Sequence, residues 1–184
     1  MADDGFLCVK CGQWHDKLPL GWGLAEPIYL SKITPAERAA RVKIDHAAGV
    51  CVLDDSFHFL MGCLQLPIVG TGARFTWTLW VQVAGEDMEN ILSRWSDPMR
   101  DTMEPTPGIL IDLFADYPEC DRLKIWVHHQ PPGMRPLFEV LASEHPLYRE
   151  QSEGISEGRL REIAMAMYHP NAARGPGLIT PGIA

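Results

Sequence analysis

The sequence predicts an α+β protein: a single domain with a largely antiparallel sheet covered by helices on one face. Three observations carry that expectation. Strand-like runs arrive in adjacent pairs joined by short turns, which favours antiparallel pairing because parallel neighbours need long crossovers. Phe75, Trp77, Leu79, Val81 and Val83 alternate with Thr76, Thr78, Trp80 and Gln82, the period of two that lays one face of a strand on a core. Two further segments carry apolar residues at helical spacing, Met88, Ile91, Leu92 and Trp95 in one and Leu160, Ile163, Ala164 and Met167 in the other, so each should lay a stripe on the sheet.

The elements follow in order. Residues 18–27 form a Pro/Gly-rich connector that holds Trp22. Thr34-Pro35-Ala36-Glu37 then supplies an N-cap, a proline at the first helical position and a glutamate placed for a capping box, predicting a helix from 35 to about 43. Val50-Cys51-Val52-Leu53 and residues 57–66 flank Asp54-Asp55-Ser56, the pattern of a hairpin; the two aspartates read as turn residues. Residues 123–128 and 136–141 predict two more strands around the turn Gln130-Pro131-Pro132-Gly133. The domain is expected to span 1–170. Residues 171–184 are rich in Gly, Pro and small residues and read as a tail, ordered only where it docks.

Chemistry is concentrated at the N-terminus, in Cys8-Val9-Lys10-Cys11-Gly12 with His15. Two thiolates three positions apart on one tight turn can both reach a Zn²⁺ at about 2.3 Å, and residues just after the second sulfur can turn their N–H groups towards the charged sulfurs. Gly12 suits such a turn because it takes positive φ without a Cβ penalty. A thioredoxin-type redox pair and two ordinary thiols are the alternatives. The redox motif sits at a helix N-terminus, for which Gly12-Gln13-Trp14 is a poor start. A closed zinc site needs four ligands. His15, four residues on, and Cys51 are the candidates for the other two, Cys51 being equally readable as a small core hydrophobe. Cys63 and Cys120 read as ordinary thiols, and His128-His129 point to opposite faces of a strand and cannot easily share a metal.

Composition excludes several function classes. The chain has 184 residues, enough for one domain with a real core, and its 46% apolar and 22% charged content is that of a globular protein. A formal charge of −8 argues against a nucleic-acid surface, which needs clustered Lys and Arg. No stretch approaches the ~20 apolar residues of a membrane span, and the acidic start Met1-Ala2-Asp3-Asp4 leads into no signal-like run. A cytoplasmic protein is therefore expected. Five cysteines fit metal or free thiols better than a disulfide framework there.

The order of features resembles a bacterial family known as domain of unknown function 2199, over about residues 6–169. The resemblance is carried by Cys8-Val9-Lys10-Cys11-Gly12 with His15, the segment from Asp45 to Cys51, Met61-Gly62-Cys63-Leu64-Gln65-Leu66-Pro67-Ile68, the strand Phe75-Thr76-Trp77-Thr78-Leu79-Trp80-Val81, and His145-Pro146-Leu147 leading to Gln151 and Gly154-Ile155. It implies a fold and metal ligands, with Cys51 and His15 on the pattern and Cys63 off it, but no substrate.

Other polar groups read as structural. His145 is placed to cap a helix ahead of Pro146, and Gln151 to tie the following turn; Arg135 before Pro136 reads as a turn arginine. The functional expectation is a non-catalytic, zinc-stabilised module that works by contact with a protein partner through exposed tryptophans and the open sheet face. The alternative is a zinc-dependent hydrolase with three protein ligands, a metal-bound water, and Glu144 or an aspartate as general base.

Overall fold

The computed structural model describes residues 5–111, 117–118, 123–169 and 178–179. Cys120 and most of the tail lie outside these. The alternating run becomes strand β7 (Arg74–Val83), and the sheet is built outward from it. Strand β6 (Phe57–Pro67) pairs with it antiparallel along its whole length, from His58 opposite Val83 to Pro67 opposite Arg74. Beyond β6 lie β5 (Val50–Leu53) and β4 (Val42–Asp45), each antiparallel to its neighbour. Asp54 and Asp55, both at positive φ, make the β5–β6 turn, a conformation aspartate tolerates better than most residues. The helix expected from 35 to about 43 is shorter: α1 (Pro35–Arg41) keeps its Thr34–Glu37 capping box, and the chain leaves it at Val42 to pair with Leu53.

On the other side, β8 (Thr106–Leu110), β9 (Leu123–His128) and β10 (Leu137–Val140) follow as an antiparallel meander. β10 then meets β6 in parallel, Leu137 opposite Cys63, with the Cys63 N–H donating to the Pro136 carbonyl at 2.9 Å. That pairing curls β6, β7, β8, β9 and β10 into a closed five-stranded barrel, so the antiparallel α+β fold is present with a curvature the sequence did not announce. The barrel-facing residues include Leu64, Trp77, Leu79, Val81, Ile125, Val127 and Phe138, all buried.

Closure depends on Gly62. A Cβ at this position would lie 2.4 Å from the Phe138 ring and 2.7 Å from the Pro136 carbonyl oxygen, so the parallel seam forms only over a residue without a side chain. Gly62→Ala should cost about 1–3 kcal/mol as an overpacking change, read as a lower urea midpoint. An unchanged midpoint would mean that the seam is loose.

The supposed connector at 18–27 contains a strand. β3 (Gly21–Leu24) runs parallel to β7, and its glycines allow the close approach: a Cβ on Gly23 would lie 2.7 Å from the Thr78 Cβ. β11 (Leu178–Ile179) pairs with β3 and is the one described piece of the tail. Residues 24–33, with a 3-10 turn at Ile28–Lys32, pass over the outer face at Phe59 and Trp80, where the Tyr29 ring lies 6.0 Å from the Phe59 ring. Trp80, on that face, is therefore as buried as Leu79, and its indole N–H donates to the Leu24 carbonyl at 3.2 Å.

The helices fall as their stripes require. α2 (Gly85–Ser93) buries Met88 and Ile91 against β6, while Leu92 stays exposed. α3 (Pro146–Glu153) packs on β6 and β10, and α4 (Glu157–Tyr168) buries Leu160, Ile163, Ala164 and Met167. His145 caps α3 as expected, its Nδ1 accepting from the Leu147 N–H at 3.1 Å. Gln151 does something else: its amide accepts from the Val140 N–H at 2.8 Å and donates to the Phe138 carbonyl at 2.7 Å. It acts as a surrogate strand edge for β10 where pairing with β6 runs out. No described helix is long and apolar enough to cross a membrane.

Candidate metal centre

The first cysteines lie in the turn of a small separate hairpin, β1 (Phe6–Leu7) with β2 (Trp14–His15). The Cys8 N–H donates to the Gln13 carbonyl and the Gly12 N–H to the Cys8 carbonyl, with Gly12 at φ 68°. This is a tight turn between strands rather than a helix start. Its register gives the hairpin two different faces. Phe6 pairs with His15 on the inner face, and Leu7 pairs with Trp14 on the outer one, where both are more than half exposed.

The inner face lies on the end of α4. Phe6, Cys8 and Ala164 form a buried cluster edged by Leu18 and Met165. The His15 ring packs near-parallel to Phe6, at 5.1 Å, and to Tyr168, at 4.4 Å, and these two rings are themselves 6.3 Å apart, so the three form one aromatic cluster. Trp22 of β3 meets Tyr168 edge-on at 5.4 Å. These stacked and edge contacts fix the imidazole plane and bring the chain's beginning to its last long helix.

Four side chains converge there. One ligand atom each from Cys8, Cys11, His15 and His169 lies within 4.8 Å of all the others. Donor atoms around a tetrahedral zinc stand about 3.3–3.8 Å apart, given Zn–S and Zn–N lengths of about 2.3 and 2.0–2.1 Å. The Cys11 Sγ and His15 Nε2 are already at 3.6 Å. His169 is the C-cap of α4, and its Nε2 is buried without a hydrogen-bond partner, an arrangement that costs free energy unless something binds it. The helix C-terminus also favours a cation by its dipole. Burial of the Cys8 thiol opposes its ionisation, but the N–H groups of Cys11 and Lys10, the Cys11 thiol and the Lys10 charge together hold it below the ordinary cysteine range.

The expected candidates thus divide. Cys8, Cys11 and His15 come together, whereas Cys51 is placed elsewhere: it is fully buried in the main core on β5, opposite Ile44 and Phe59, and burial pushes its thiol up to about 11. The fourth place is taken by His169, which spacing did not single out. The signal that could have found it is a histidine ending an amphipathic helix just before Pro170.

Glu144, weighed as the general base of a hydrolase, adjoins His145, which lies through Tyr117 near the other end of α4. Glu150 accepts from the Tyr117 hydroxyl and from Arg159 Nε, and Arg159 also stacks over Tyr117. His145 stacks on the same Tyr117 ring at 6.2 Å. At about 1.5 Å rise per residue, Arg159 stands roughly 15 Å along the helix from His169. Glu144 and His145 are not in the four-residue group, which contains no carboxylate.

No curated protein and no solved structure matches the chain. Residues 7–155 match the family described as an uncharacterised protein conserved in bacteria, DUF2199, a span that includes Cys8, Cys11 and His15 and ends before His169. With the match running from the cysteine turn to the end of α3, the chain belongs to the DUF2199 family.

Proposed function

We propose that this protein is a non-catalytic, cytoplasmic interaction module whose N-terminal hairpin is fastened to α4 by one structural zinc ion, held by Cys8, Cys11, His15 and His169. The observation that carries the reading is the donor set itself: two thiols and two imidazoles from opposite ends of the sequence, one of them a buried nitrogen with no other partner. Four protein donors fill a zinc tetrahedron, leaving no position for a reactive water. Bound there, the ion supplies a cross-link and no chemistry.

The contact surface in this reading is the outer face of the hairpin, where Leu7, Val9 and Trp14 are exposed, together with exposed Trp126 on β9. A reducing compartment keeps the thiols available to the metal.

Elemental analysis of protein purified without a histidine tag should find about one zinc per chain. A metal-free protein with a Cys8–Cys11 disulfide that cycles at cytosolic potentials would replace this reading with a redox one. A metal-bound water in a solvent-filled cleft would replace it with the hydrolase.

A further inference from the structure

The two thiols of the cluster differ in access. Cys8 is fully buried beneath Phe6 and Ala164, whereas Cys11 is exposed at the tip of the hairpin turn. Among the described residues the hairpin shares no strand pairing with the main sheet. It is held by the small Phe6–Cys8–Ala164 cluster, by the ring stack on Tyr168, and by the ligand group. A reagent in solution thus reaches one sulfur of the group directly, and that sulfur has its natural partner three residues away.

Resting on the zinc reading above, we propose that Cys11 is an oxidation site for hydroperoxides, and that its oxidation, resolved by Cys8, releases the metal and frees the hairpin from α4. The Cys11 thiolate attacks one peroxide oxygen; the O–O bond breaks, an S–O bond forms, and the sulfur is oxidised to sulfenic acid while the leaving oxygen takes up a proton as water or an alcohol. The Cys8 thiolate then displaces hydroxide from the Cys11 sulfur, forming the disulfide, and a second proton completes water. Two thiolates, one hydroperoxide and two protons thus give one disulfide and two small oxygen products. Disulfide sulfurs bonded at about 2.05 Å have lost the thiolate charge, so only two imidazoles remain and the ion departs. Among the described residues, the other two cysteines are poorer targets: burial raises the Cys51 thiol to about 11 and shifts that of Cys63 upwards.

The test uses the full chain, zinc-loaded and reduced, treated with hydrogen peroxide in the presence of a chromogenic zinc chelator. One zinc should be released for each pair of thiols lost, peptide mapping should place the disulfide at Cys8–Cys11, and added reductant and zinc should restore the starting protein. Cys11→His keeps four donors but cannot form the disulfide, and its release should be slower by about tenfold or more. Cys63→Ser should behave as wild type. Zinc-loaded protein that keeps its metal under peroxide, a disulfide mapped elsewhere, or unchanged release from Cys11→His overturns this inference while leaving structural zinc in place. A wild-type protein that binds no zinc overturns both. Should Cys11→His itself fail to hold metal, the wild-type map and stoichiometry decide the matter.

Discussion

Cys8→Ser is expected to lose its zinc and a large part of its stability in the same step. The ligand atoms come from the hairpin turn and from the end of α4, so the site exists only in the folded chain and the ion's binding energy is linked to folding. An ion that binds only the folded state stabilises it by about 4 kcal/mol when free zinc is about 1,000 times Kd. A serine hydroxyl left in the Phe6–Ala164 cluster adds a smaller cost, about 1–3 kcal/mol if unpaired. Chelation of the wild-type protein separates the two: it should lower the urea midpoint by the metal's share alone, and should lower that of Cys8→Ser little further. Retention of metal by Cys8→Ser would remove Cys8 from the site, and a wild-type midpoint indifferent to chelator would show that the ion is not structural.

The parts of this site that could be read in the sequence are those made by local geometry. Cys8, Cys11 and His15 share one hairpin, so their spacing reports their proximity. His169 comes from an element that meets the hairpin only after the barrel, β3 and α4 are in place, and a lone histidine carries no trace of such a meeting. Cys51 shows the converse. Its strand Val50–Leu53 was legible from apolar, β-branched content, but whether a buried thiol lies beside a metal or inside a core depends on what packs against it. Here that is the neighbouring strands with Ile44 and Phe59.

The same division holds for the fold. The β7 alternation, the α1 capping box, the Asp54–Asp55 turn and the α4 stripe are local signals, and each element formed at its signal, although α1 ends at Arg41 where Val42 enters the sheet. The barrel was not visible because it depends on β10 meeting β6 across more than seventy intervening residues, through a glycine whose lack of a side chain matters only once Phe138 arrives. β3 was obscured by its glycines. Gly21-Trp22-Gly23-Leu24 does alternate, but glycine is depleted in strands, and here it serves the approach of one backbone to another.

Leu79→Ala should strongly destabilise the barrel, costing about 2–5 kcal/mol as a buried large-to-small substitution. Leu79 is fully buried on the barrel-facing side of β7, and its cross-strand partner is Gly62, which has no side chain to move into the space. The Phe138 ring already occupies the volume over Gly62, so the cavity has little to collapse into, and the cost should fall towards the upper part of that range. Gln82→Ala, three residues along on the outer face and half-buried, should change stability by about 0.5 kcal/mol or less, as surface substitutions do. Urea melts of the two variants against wild type decide it. If Leu79→Ala loses under about 1 kcal/mol, the barrel interior is loose enough to repack around a missing side chain, and the tight Gly62–Phe138 seam cannot be what closes it.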